Sequence, residues 1–200
     1  MTESPPTAFA DRFLRDPGHF PDGENTPWGE HGLDLQLPAS AVRISGLSAK
    51  QRDSLAARFA PRLARTAGAL AIHLRRLPAE RFWDQSRMGR YYDLDIQRDP
   101  DATRIAGLGF VARIVETGDV TIWTYLEESA RFLEVMENTL RILTAIRVLD
   151  QGGVMLHSAG IQLADGAHLF WGHSGAGKST LSGLALAAGH PVINDDLDVI

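Results

Sequence analysis

A glycine-rich run set between a strand pattern and a helix pattern, with period-two apolar alternation upstream, predicts an α/β P-loop domain preceded by an α+β segment with several strands. The run is Gly172-His173-Ser174-Gly175-Ala176-Gly177-Lys178-Ser179-Thr180, which fits Gly-x-x-x-x-Gly-Lys-Ser. Ala167 to Trp171 before it is a short apolar strand-like run, and Ser179 to Ala188 after it is a small-residue, Leu-rich helical stretch. The upstream alternation is clearest at Leu33-Asp34-Leu35-Gln36-Leu37.

In chain order, residues 1–31 are rich in Pro, Gly and charge without sustained periodicity, and an irregular arm is expected there. Leu33 to Leu37 and Ala41 to Leu47 read as strands. Ser48 followed by Gln51 is a capping box that opens a helix toward Arg65, with Leu55, Phe59 and Leu63 on one face and Pro61 set to kink or shorten it. Ala69 to Leu77 and Tyr91 to Ile96 are the next two strands. Ala106 to Glu116 and Val120 to Leu126 suggest a hairpin about Thr117-Gly118-Asp119. This α+β part spans 32–128.

Residues 130–150 form the clearest helix, with Phe132, Leu133, Met136, Leu140, Leu143, Ile146 and Leu149 on one face, ended by Gly152-Gly153. Val154 to Leu156 and Ile161 to Leu163 are strand-like on either side of the small-residue stretch His157-Ser158-Ala159-Gly160. Residues 129–200 are therefore expected to hold a linking helix and the first part of the loop-bearing domain. The run ending at Ile200 reads as a strand only 22 residues past Lys178, so the domain is expected to be truncated there.

Composition bounds the rest. Of 200 residues, 44% are hydrophobic and 22% charged, with a net charge of −5, so nucleic acid and anionic membrane are not expected partners. No apolar run approaches the roughly 20 residues of a membrane span, and no signal-peptide pattern opens the chain, which makes the cytoplasm the expected compartment. The absence of cysteine removes disulfides, thiolate metal sites and cysteine nucleophiles.

The loop carries specific chemistry. Polyphosphate needs several converging backbone N–H donors, and glycines let the backbone approach it unobstructed while the helix N-terminus adds its dipole. The expected nucleotide contacts are Gly172, Ser174, Gly175, Ala176, Gly177, Lys178, Ser179 and Thr180. Lys178 would reach the β and γ phosphates, and the Ser179 hydroxyl would ligate Mg²⁺. Asn194-Asp195-Asp196 follows 17 residues after Lys178, at the end of Pro191-Val192-Ile193. Two adjacent acids there suit a Mg²⁺ ligand and a base. His157 lies at a strand end, and His168, His173 and His190 are read as structural.

Taken in order, Leu156-His157-Ser158-Ala159-Gly160, the loop, and Gly189-His190-Pro191-Val192-Ile193-Asn194-Asp195-Asp196 resemble the catalytic domain of the HPr kinase/phosphorylase family over about residues 150–200. The resemblance implies a Mg-ATP-dependent serine kinase, with a hydroxyl-bearing protein or small molecule as acceptor and assembly into homo-oligomers. Carried over position by position, it implies that Asp195 is the catalytic base, that Asp196 with Ser179 holds Mg²⁺, and that His157 sits by the γ-phosphate near Lys178. Two other readings share the loop: an ABC-type ATPase, in which the loop comes early in the domain and the acidic strand much later, and a non-catalytic nucleotide sensor.

Overall fold

Alternation around Leu33 does fold as a strand. In the computed structural model, which describes residues 9–16, 18, 26–83, 94–116 and 118–200, β1 (His31–Leu37) pairs antiparallel with β2 (Ser40–Leu47). The tight connection between them puts Ala39 at φ 65°, the left-handed region that a Cβ disfavours.

Ser48 caps α2 (Ala49–Arg58) as the sequence predicts: its hydroxyl accepts from the Gln51 N–H, and the Gln51 side chain returns a bond to the Ser48 N–H. Gln51 is fully buried, and its Nε2 is satisfied there by donating to the carbonyl of Leu126. Pro61 shortens the helix, and a 3-10 turn over Ala60–Arg62 replaces its expected last part.

From α2 the chain returns as β3 (Leu70–Arg76), parallel to β2. Of the strand expected over 91–96, residues 91–93 lie outside the described part, and β4 runs Asp95–Arg98. Two further strands precede the expected turn rather than one. Residues 106–116 break at Leu108-Gly109, where Gly109 has φ 81°, into β5 (Ala102–Gly107) and β6 (Phe110–Val115), and β7 (Val120–Thr124) follows. The resulting seven-stranded mixed sheet has the order β1-β2-β3-β7-β6-β5-β4, with β3 parallel to both of its neighbours.

The pairing register gives this sheet two unlike faces. Ile44, Ile72, Val120 and Ile114 form one cross-strand row, all buried. The adjacent row, pointing to the other face, is polar: Ser45, His73, Thr121, Arg113 and Arg104. Helix α1 (Phe9–Arg15) covers part of that second face, where Phe9, Ala10 and Phe13 pack with Leu77, Trp83, Ala106, Val111 and Trp123. The irregular arm expected over residues 1–31 thus contains a helix. Its apolar residues compensate the ordering of so short a segment by filling the sheet face.

Helix α3 (Ala130–Asp150) has the expected bounds, with Phe132, Met136, Leu140 and Leu143 buried, but Leu149, expected on the same face, is exposed and Val148 is buried instead; the helix ends where Gly152 takes φ 81°. The chain divides into two compact units, Met1–Leu143 and Thr144–Ile200, and the division falls inside α3.

The second unit has its own four-stranded sheet. Its centre is β8 (Met155–Leu163), a single nine-residue strand running through the small residues expected to interrupt it. On one side β8 pairs antiparallel with β9 (Gly166–Trp171), and on the other with β10 (Val192–Asn194) and then β11 (Leu197–Val199). Helix α4 (Lys178–Ala187) links β9 to β10.

No helix among the described residues is long and apolar enough to cross a membrane.

Candidate functional site

Strand directions decide what meets. Both β9 and β10 run antiparallel to β8, so they run parallel to each other, and their C-terminal ends lie at the same edge of the sheet as the first half of β8. The loop 172–177 leaves β9 at that edge, Asp195-Asp196 leaves β10 there, and His157 on β8 is one residue from Ser158, the partner of Trp171. Sheet polarity thus gathers three separate sequence motifs.

Between Trp171 and Lys178 the chain makes a tight excursion, closed by a bond from the Ala176 N–H to the His173 carbonyl, 3.1 Å. Gly175 (φ 82°) and Gly177 (φ 91°) both take left-handed backbone that glycine alone enters without cost. Gly177 is the N-cap of α4 and offers no side-chain cap, so the first-turn amides of that helix lack an intrahelical acceptor and point toward the loop.

Lys178 is buried, and its Nζ donates to the carbonyls of Gly172 (2.9 Å) and His173 (3.2 Å). The ammonium is therefore folded back across its own loop. Ser174, Ser179 and Thr180 are exposed. His173 Nδ1 bonds to the Ser174 carbonyl at 2.8 Å, His168 Nε2 lies 2.9 Å from Asp165 Oδ1, and His190 donates its backbone N–H to Ala185, which leaves each with a local structural partner.

On the facing segment, Asn194 shapes the turn: its Oδ1 accepts from the Asp195 N–H at 2.9 Å, and its Nδ2 donates to the Leu197 carbonyl. Asp195 is exposed. Asp196 Oδ1 lies 3.9 Å from His157 Nε2, and the two side chains are 50% and 54% exposed, so the pair faces water. Among the described residues, no three His, Cys, Asp or Glu side chains cluster as a self-sufficient metal site.

Two participants escaped sequence reasoning. Asp198 reads as the continuation of an acidic turn, yet it is 5% exposed and accepts from the Ser158 hydroxyl at 2.7 Å. Gly160 reads as a break between strands, yet a Cβ there would lie 2.9 Å from Asp198 Oδ1, so the glycine makes room for that carboxylate. The only sequence signal was period two: Leu156, Ser158 and Gly160 share one face of β8, and Asp198 pairs opposite Leu156.

No family model matches the chain, and neither the curated proteins nor the solved structures include a match.

Proposed function

We propose that the second unit binds Mg-ATP at this sheet edge and transfers its γ-phosphoryl group to a hydroxyl, that of a serine in the reading the HPr-kinase resemblance suggests. The observation that carries the proposal is the convergence of the 172–180 loop with Asp195, Asp196 and His157, the last two 3.9 Å apart. A loop at the N-terminus of α4 supplies backbone donors for phosphate, and acidic groups beside it supply what phosphoryl transfer needs at the acceptor side.

The residues fit a Mg²⁺ ion of the kind that keeps several waters and phosphate oxygens. Ser179 and Asp196 offer hard oxygen donors, and such an ion needs only one or two protein ligands. A bound Mg²⁺ would draw charge from the β and γ phosphate oxygens.

Lys178 exchanges its two loop carbonyls for phosphate oxygens when nucleotide enters. Gly175, Gly177 and the first turn of α4 orient the chain of phosphates. The acceptor oxygen attacks the γ phosphorus, the bond from that phosphorus to the β–γ bridging oxygen breaks, and ADP leaves. Asp195, exposed and unencumbered by the His157 contact, receives the hydroxyl proton.

The test is a pair of variants assayed with labelled ATP, Mg²⁺ and a cell lysate. Lys178→Ala is expected to abolish ATP binding, and Asp195→Asn to keep binding while losing transfer by roughly a hundredfold or more. Undiminished transfer by Asp195→Asn removes the base assignment. Label released only as free phosphate, and never carried by an acceptor, removes the kinase reading in favour of an ATPase.

A further inference from the structure

Ser158 holds the acidic segment at two points, Asp196 and Asp198. Its backbone N–H donates to the Asp196 carbonyl at 3.2 Å, and its hydroxyl donates to Asp198 Oδ2 at 2.7 Å. The hydroxyl also lies 3.4 Å from the Leu156 carbonyl, but its one proton belongs with the closer, charged acceptor. Ser158 is fully buried and Asp198 nearly so, and Gly160 leaves the space in which the carboxylate sits. A carboxylate withdrawn from water costs several kcal/mol unless hydrogen-bonded, so a retained contact of this kind holds its strands firmly in register.

Ladder pairing shares that work only over short stretches here, through the Ser158–Asp196 bond and the three residues of β11. The register between β10 and β8 shifts between Val192 and Asn194, immediately before the two aspartates, and β11 has only three residues. The positions of 195 and 196 are thus left to the contacts around them. From this we infer that the Ser158–Asp198 pair is a positioning device: it fixes the backbone of Asp196 against β8 and so sets where the Asp196 carboxylate stands relative to His157 and the loop. This rests on the Mg-ATP reading above. Neither Ser158 nor Asp198 touches nucleotide in it; both act through Asp196.

The test uses the full chain and two readouts independent of turnover: Mn²⁺ titration followed by electron paramagnetic resonance with an ATP analogue present, and metal-free binding of a fluorescent ATP analogue. Ser158→Ala and Asp198→Ala are each expected to weaken Mn²⁺ binding about tenfold, the usual effect of losing a group that supports a metal ligand. Metal-free nucleotide binding stays within about twofold, the double variant is no worse than either single one because both remove the same contact, and Ser158→Thr restores affinity. Unchanged Mn²⁺ affinity in a folded Ser158→Ala variant overturns the inference. Where the alanine variants do not fold, Asp198→Glu decides: it keeps the charge but displaces the carboxylate, and Mn²⁺ affinity equal to the parent's overturns the inference equally. Lys178→Ala serves as the control for the underlying reading. Nucleotide binding that survives it defeats the Mg-ATP proposal itself, whereas loss of binding there with an unmoved Mn²⁺ response in the Ser158 and Asp198 variants defeats only the positioning role.

Discussion

Arg104 Nη1 donates to the backbone carbonyl of Phe13 at 2.6 Å while its Nε and Nη2 hold Asp99, so a buried guanidinium on β5 ties helix α1 to the sheet. The Phe13 ring, fully buried, meets Trp123 edge-on at 5.8 Å. Phe13→Ala is expected to lower the unfolding free energy by about 3 kcal/mol, the cost of an aromatic cavity that so short a helix cannot collapse to fill. Urea denaturation measures it; a loss under about 1 kcal/mol means α1 is not part of the folded core.

Ala39 sits at φ 65° in the turn between β1 and β2, where its Cβ opposes the backbone. Ala39→Gly is expected to gain about 1 kcal/mol by relieving that conformation, against the smaller entropic penalty of glycine in the unfolded chain. The thermal midpoint should rise, and a fall shows that the turn does not need the left-handed backbone.

Gly177 at φ 91° separates the loop from α4. A Cβ there has open space around it, so the penalty of Gly177→Ala is conformational, about 1 to 2 kcal/mol, and is relieved by reshaping the loop. Calorimetric titration with ATP and Mg²⁺ should show affinity at least tenfold weaker with a thermal midpoint lowered only slightly. Parent-like affinity would mean that the loop cradles no phosphate.

Asp165 titrates below the ordinary aspartate range, first because His168 hydrogen-bonds its carboxylate, then through a backbone hydrogen bond within its own residue, then through the charge of His168. A depressed carboxyl contributes stability that is present above the unfolded value, about 3.9, and is lost as pH falls through the lower folded value. Carboxyl-carbon NMR should place the Asp165 midpoint below that of a model peptide and raise it in His168→Ala. A midpoint that does not move with His168 removes the pairing at the β8–β9 turn.

Much of this architecture is legible in the sequence, and the exceptions share a cause. Strands with one buried face announce themselves by period two, as Leu33 to Leu37 does, and Ser48 with Gln51 marks a helix start by local chemistry that needs no tertiary partner. Helix α1 is too short to show a period, and its meaning lies in Trp123 and Val111, roughly a hundred residues away. Gly160 and Asp198 are likewise unreadable singly, since each is explained only by the other across β8 and β11. At the candidate site, the loop and the acidic pair are visible as motifs. The bonds of Lys178 to its own loop carbonyls are not, because a lysine's resting partners depend on how the backbone turns.

The central place of β8 bears on how the molecule comes together. Its pairing with β9 closes through the tight turn at Ala164-Asp165, whereas β10 reaches it only after the chain has passed through α4. Short closures cost less chain entropy than long ones, so the hairpin is expected to form early and the return of residues 192–199 late. The acidic side of the edge would then be the step most exposed to failure during synthesis and the first part to open under mild denaturant, a difference that hydrogen exchange at β9 and β11 would resolve.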